Sequence, residues 1–216
     1  MRNHQYLSIA SLFALVFLAG CSSMYYGAME KVGIHKRDIM VDRVEEARDS
    51  QQEAKEQFLT TMQQFKSVVD FEGGELEKAY SKFSSTLQDA EEKAAEVRER
   101  IESVEDVSEA LFDEWRIEIT QYSSDSLRRS SQQKFDATRQ KYLELISAMK
   151  HAESKLEPAL VPLRDQVLFM KHNLNARAIA GLKSETKSVQ ANVDTLVRSI
   201  ENAVARADEF IASLEE

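Results

Sequence analysis

Few side chains in this chain of 216 residues could do covalent or metal chemistry. It contains one cysteine and four histidines, of which His35, His151 and His172 fall after residue 20. None of these three stands in the Glu-x-x-His spacing that places metal ligands on facing helices. The chain also lacks the GxxxxGK(S/T) loop that holds nucleotide phosphates, the HExxH zinc motif and the GxSxG nucleophile motif. We therefore expect no enzyme, no metal site and no cofactor.

The one cysteine, Cys21, directly follows a short hydrophobic segment. Arg2 and the amino terminus give a weakly positive start, and an apolar stretch runs from Leu7 to Ala19. That length is typical of a signal-peptide core and falls short of the ~20 apolar residues that a membrane-spanning helix needs. The stretch ends in LAGC, residues 18–21, which resembles the lipobox of bacterial lipoproteins.

The lipobox resemblance implies that the Cys21 thiol receives a diacylglycerol and that a signal peptidase cuts before it. Residues 1–20 are then a lipoprotein signal peptide, 21–38 a lipidated membrane-proximal tether and 39–216 one helical-bundle domain. Ser22 stands where an aspartate would resemble the inner-membrane retention signal, so we expect an outer-membrane lipoprotein facing the periplasm of a Gram-negative bacterium. The alternative is a buried or free cysteine after an ordinary secretory signal.

The tether carries aromatic and cationic side chains that suit a membrane surface. Tyrosine rings favour the headgroup layer, and lysine or arginine can contact anionic lipid. The candidate membrane contacts are Tyr25, Tyr26, Lys31, Lys36 and Arg37. The alternative is a plain spacer whose tyrosines pack on the bundle.

Composition favours long helices and argues against one class of partner. The chain has only six glycines and two prolines, and 30% of its residues are charged. Scarce helix breakers over such a length are typical of long uninterrupted helices. The net charge of −9 argues against nucleic-acid binding, which needs a basic face.

Apolar residues recur at alternating steps of three and four, the heptad pattern of packed helices. Four such segments run from Met40 to Val68, Leu76 to Tyr122, Phe135 to Leu174 with Pro158 and Pro162 inside it, and Leu182 to Leu214. Gly73-Gly74 and the serine-rich 123–126 separate the first three segments. We predict an all-α fold, an elongated antiparallel bundle of about four long helices, with the prolines kinking the third. A straight rod that dimerises through the same seams is the alternative.

Two polar groups remain after this assignment. His172, Asn173, Asn175 and Arg177 would lie at the tip farthest from the anchor, where they could contact an envelope protein or peptidoglycan. The alternative is that the asparagines only cap and turn the chain, and the pattern leaves open whether it reverses at 172–181 or continues as one bent helix.

Arg128 and Arg129 form the second polar group, because they follow a helix start, where cations are mildly unfavourable. Either lipid headgroups or Glu215 and Glu216 could compensate them.

Four stretches resemble the signature sequences of an uncharacterised family of bacterial helical coiled-coil lipoproteins, known only as a domain of unknown function. They are MYYGAMEKVGIHKRD, ALFDEW, SLRRSS and RDQVLFMKHNLNARAIA. The resemblance covers nearly all of the chain after residue 20 and implies no activity. Some members carry the label of a DNA-repair ATPase, which a sequence without a nucleotide loop does not support.

The expected function is therefore a structural or protein-interaction role in the cell envelope. We expect a membrane anchor at Cys21, an envelope-protein partner or self-association, no nucleic acid and no small-molecule substrate. One alternative is a bundle that binds a lipid or another apolar ligand between its helices. Another is a coiled-coil accessory of an ATPase.

Overall fold

The computed structural model describes Tyr26, Met29, Gly33 and residues 35–70, 76–173 and 176–215. These residues form five helices and no strand: α1 (Lys36–Val69), α2 (Leu76–Gln121), α3 (Asp125–Glu153), α4 (Leu156–Lys171) and α5 (Ala176–Glu215). The all-α prediction is confirmed.

The heptad seams become the buried faces of the helices. Every seam residue of α1, from Met40 to Val68, is completely buried, and so are Val193, Leu196 and the other central seam residues of α5. Phe58, Phe65, Phe83 and Phe210 are the largest of the fully buried side chains. Because apolar burial contributes about 25 cal/mol per Å², this continuous core supplies most of the stability of a chain with no disulfide among its described residues.

The helices form an antiparallel four-cornered bundle. Helix α1 packs against α2 and α5, while α3 and α4 together occupy the corner between α2 and α5. With 46 and 40 residues, α2 and α5 are about 69 and 60 Å long. The chain therefore folds back on itself and does reverse between α4 and α5, as the bundle prediction requires.

Ion pairs on the bundle surface join neighbouring helices at heptad intervals. The joined pairs are Glu46–Arg100 and Glu53–Lys93 between α1 and α2, Arg48–Asp208 and Lys55–Glu201 between α1 and α5, and Glu105–Lys150, Arg98–Glu157 and Glu91–Arg164 between α2 and the α3–α4 corner. The last row continues in one register across the junction of α3 and α4. The two short helices thus act as one interrupted helix.

That junction departs from the predicted kink. Helix α3 ends at Glu153, residues 154 and 155 form a turn, and a new helix starts at Leu156. Pro158 is then the third residue of α4, where a backbone N–H would have no partner within the helix. The proline therefore accompanies a restart of the helix, and only Pro162 lies in its interior.

Capping residues mark the starts of α1 and α3. Ser124 caps α3, because its Oγ accepts a hydrogen bond from the backbone N–H of Leu127 at 3.4 Å. The backbone N–H of His35 donates to Asp38 Oδ2 at 3.2 Å at the start of α1. Gly33, two residues earlier, has a φ of +87°, a conformation that glycine adopts without strain.

Candidate functional site at the amino-terminal end of the bundle

The bundle is stepped at the end where α1 begins. The Nζ atom of Lys36, the first residue of α1, lies 3.1 Å from Glu114 Oε1 of α2. Residues 115–121 of α2 therefore extend beyond α1, a distance of about 10 Å. Helix α5 stops even earlier, since Asp208 pairs with Arg48 and only seven more residues of α5 follow. Among the described helices, only the hairpin of α2 and α3 thus projects from this end.

A small aromatic cluster holds the projecting hairpin together. Phe112 of α2 packs edge-to-face on Phe135 of α3 with ring centroids 5.6 Å apart, and Trp115 does the same at 5.7 Å. Trp115 Nε1 donates a hydrogen bond to Ser131 Oγ at 2.9 Å. Buried Ile119 completes the cluster. Such contacts stabilise an aromatic pair by more than the burial of its surface alone, so the cluster holds α2 and α3 together in the hairpin.

Tyr142 joins this cluster to the main core. Its ring centroid lies 5.4 Å from that of Phe112 and 6.4 Å from that of Phe210 on α5. Burial raises the pKa of the Tyr142 phenol above its usual value of 10.0. The phenol therefore stays neutral well above physiological pH.

A groove of about 520 Å³ lies in the step between the hairpin and the ends of α1 and α5. Its apolar lining comes from Leu111, Trp115, Ala137 and Leu214. The volume falls within the 300–1,000 Å³ that is typical of small-molecule sites.

The rim of the groove is mainly cationic. Arg37, Lys134 and Lys141 line it, and among the described residues none of the three makes an ion pair. Of the two lining carboxylates, Glu114 is paired with Lys36 and Glu118 has no cationic partner in the described part of the chain. Uncompensated positive charge beside apolar surface suits an anion that carries a hydrocarbon part.

The end of the hairpin exposes large apolar side chains. Ile117 is 60% exposed, Leu127 57% and Tyr122 38%. Single exposed apolar residues are ordinary on a protein surface, but three around one turn form a patch.

Three arginines are adjacent to this patch in the chain. Arg116 pairs with Asp113 of its own helix at 3.1 Å, and Arg128 pairs with Asp125. Arg129 has no ion-pair partner among the described residues. Asp125, in the first turn of α3, thus compensates Arg128, an anion that neither sequence-based alternative included. Glu216 and the side chain of Glu215 lie outside the described residues.

The predicted membrane contacts occupy different environments. Tyr26 is helical, 7% exposed and part of the main core, which is the alternative arrangement considered for the tyrosines. Lys36 has a side chain only 11% exposed, in its ion pair with Glu114, whereas Arg37 is exposed at the groove. Cys21, Tyr25 and Lys31 lie outside the described residues.

The predicted partner contacts lie at the opposite end. His172 is exposed where α4 ends, and Asn173 Nδ2 donates to the Phe169 carbonyl oxygen at 2.8 Å, a bond that serves the helix end. Arg177 belongs to α5, with a side chain outside the described set, and Asn175 lies outside the described residues. Beside His172, α4 exposes Phe169 and Leu168, the latter by 65%.

The groove was not predicted from the sequence. Lys134 and Lys141 are seven residues apart and flank Ala137 and Thr138, so they share one side of α3. This spacing could have indicated a cationic side of α3. The groove itself forms only because α1 and α5 end short of the hairpin.

Two other kinds of site were sought in the described part of the chain. No three His, Cys, Asp or Glu side chains there lie close enough to hold a metal ion. No helix in these ranges is both long and apolar enough to cross a membrane.

The fold and the stepped end define a four-cornered helical bundle with a projecting hairpin. Residues 25–214 match the family described as "Protein of unknown function (DUF2959)", so the chain belongs to that family. No curated protein and no solved structure matches the chain.

Proposed function

We propose that this protein is a lipid-anchored helical bundle of the bacterial cell envelope. The acyl chains on Cys21 would hold it in the outer membrane, facing the periplasm, where it serves a structural or protein-interaction role. The LAGC sequence at 18–21 supports acylation. Two or more acyl chains hold a protein on a membrane almost permanently.

The LAGC sequence that ends at Cys21 carries this proposal, and the burial of Tyr26 limits how far the anchor would lie from the bundle. Only four residues separate Cys21 from this core residue, and the five extended steps between the two span at most ~18 Å. An acylated Cys21 would therefore hold the bundle close to the bilayer, without a long linker between them.

The test of the anchor is cell fractionation. The wild-type protein should sediment with membranes and need detergent for release, whereas the Cys21→Ser variant should not. Ser22→Ala is the matched control and should behave like wild type. If Cys21→Ser remains detergent-extractable from the membrane fraction, acylation is not the anchor.

The exposed face of α4 supports an interaction role. Val161 and Leu168 are seven residues apart and share one side of the helix, next to Phe169. This patch lies near His172, at the end away from the hairpin, where an envelope protein could reach it. A photo-crosslinking residue at position 168 should capture a partner in intact cells, and one at exposed Glu99 should not.

The groove supports a second candidate function, the binding of an anionic amphiphile. Its apolar lining suits a hydrocarbon chain, and Arg37, Lys134 and Lys141 suit a carboxylate or phosphate headgroup. Native mass spectrometry should show added mass that Lys134→Gln with Lys141→Gln removes. Arg139→Gln, on the same helix but outside the groove, should leave it. An unchanged adduct in the double variant would exclude the groove.

A further inference from the structure

We infer that the projecting tip of the α2–α3 hairpin docks on the membrane surface, with Ile117, Tyr122 and Leu127 in the headgroup layer. This inference rests on the proposed anchor and adds an orientation to it, in which the bundle is held at two points. The acyl chains provide one point and the hairpin tip the other.

The position of the tip is the first argument. Helix α1 begins at the stepped end, and fifteen residues lead from Cys21 to Lys36. Residues 115–121 run past Lys36, so the tip is the outermost described part of the bundle at this end. A bilayer that holds Cys21 meets the tip before it meets the rest of the bundle.

Side-chain chemistry is the second argument. Exposed Ile117 and Leu127 can enter the interfacial layer, and Tyr122 between them is a residue type that favours this depth. In water, two such exposed aliphatic side chains on one hairpin cost free energy, which their insertion into the interfacial layer would recover.

Charge complementarity is the third argument. Residues 115–134 carry four arginines or lysines against two acidic residues, or three when Asp113, the partner of Arg116, is included, although the whole chain has a net charge of −9. Of these four cations, Arg129 and Lys134 make no ion pair among the described residues. A locally basic tip is attracted to anionic lipid, whereas the acidic faces of the same protein are repelled by it.

Paired tryptophan reporters can test this arrangement in the full protein, isolated from membranes and reconstituted in vesicles of anionic phospholipid with brominated chains. Tyr122→Trp places an indole at the tip, and Phe169→Trp places one at a similarly exposed aromatic position at the far end. The native Trp115 is present in both variants as a common background.

The expected result is bromine quenching of the added indole in Tyr122→Trp and none in Phe169→Trp. Adding Ile117→Ser with Leu127→Ser should abolish the quenching while the protein still floats with the vesicles. Arg129→Gln should weaken docking about fivefold on anionic vesicles, as expected for one arginine near such a surface. Circular dichroism before reconstitution checks that each variant is folded.

The inference is overturned by no quenching of the Tyr122→Trp indole in vesicle-bound protein, by equal quenching at both ends, or by quenching that survives Ile117→Ser with Leu127→Ser. Shielding of the tip by concentration-dependent self-association, without bromine quenching, would assign the patch to a second copy and also overturn it.

Failure of the anchor is distinguishable from failure of the docking. A protein that does not float lacks the acyl anchor, which contradicts the proposed function. Its single thiol is then free for a maleimide-linked phospholipid, and the same two reporters decide whether the tip docks.

Discussion

Arg98 of α2 faces Glu157 of α4, with Nη2 3.5 Å from Oε2, in the middle of a row of three ion pairs whose polarity alternates. The flanking pairs are Glu105–Lys150 and Glu91–Arg164. A slip of one heptad between α2 and this corner would bring Glu157 beside a glutamate and Arg98 beside a cation. The alternation therefore favours one register over its neighbours, as charges at coiled-coil flanks do.

Reversing one charge of the central pair should lower the free energy of unfolding, and reversing both should restore part of it. Arg98→Glu alone is expected to cost less than about 1 kcal/mol, because both side chains are partly exposed. The double variant Arg98→Glu with Glu157→Arg should recover part of the melting temperature, since Glu157→Arg also breaks the ion pair between Glu157 and Arg164.

Arg206→Glu is the matched control for this cycle. It disrupts a pair within α5 only, and Glu157→Arg should not rescue it. Failure of the double variant to recover would show that the central pair does not contribute to the register.

Replacing the buried Gln51 by an apolar residue should stabilise the bundle. Its side chain is completely buried, and neither amide atom has a hydrogen-bond partner among the described residues. Gln51→Leu should raise the free energy of unfolding by about 1–3 kcal/mol in guanidinium titrations, since it removes an unsatisfied polar group.

Gln57→Leu is the contrasting variant. Gln57 Nε2 donates to the Thr86 carbonyl oxygen of α2 at 2.9 Å, so its loss should destabilise the bundle. If Gln51→Leu destabilises to the same extent, Gln51 has a partner in solution.

Phe135→Ala should loosen the hairpin more than the rest of the bundle. It removes both edge-to-face contacts of the aromatic cluster, at a cost of about 3–5 kcal/mol for a large buried ring. Hydrogen exchange should accelerate in residues 112–135 and remain slow in the middle of α1. Uniform acceleration in both regions would contradict a separate hairpin cluster.

The bundle should lose stability at high pH when Lys93 is deprotonated. Hydrogen bonds to Glu53 and Glu96 raise the pKa of its ammonium group from 10.5 to about 12. The stabilisation is complete below pH about 10.5 and is lost as the pH rises through about 12, because the folded state holds the proton more tightly.

Direct titration of Lys93 by NMR should give its raised pKa, and Lys93→Met should remove this part of the alkaline destabilisation. A midpoint for Lys93 at its ordinary value would contradict the ion pairs.

The seams that become core were predictable from the sequence, because burial in a long helix follows directly from the three-and-four spacing. Val44, Phe58, Leu145 and Ile200 were all placed in the core in this way, and all are buried. A break was predicted at the serine-rich 123–126, and the structure places it at 122–124, with Ser124 as the cap.

The stepped end was not predictable, because periodicity gives the face of each helix but not its height along the bundle. The height depends on cross-helix partners such as Lys36 with Glu114, which a single sequence does not pair. The restart at Leu156 was taken for a kink, since the prolines mark a disturbance without fixing where hydrogen bonding resumes.

The intact mass of the protein, extracted from the cells that make it, tests the central proposal most directly. We predict a chain that starts at Cys21 and carries the added mass of a diacylglycerol thioether and an amide-linked fatty acid. A chain that keeps Met1, or that carries no fatty acid, would contradict the anchor and the envelope role built on it.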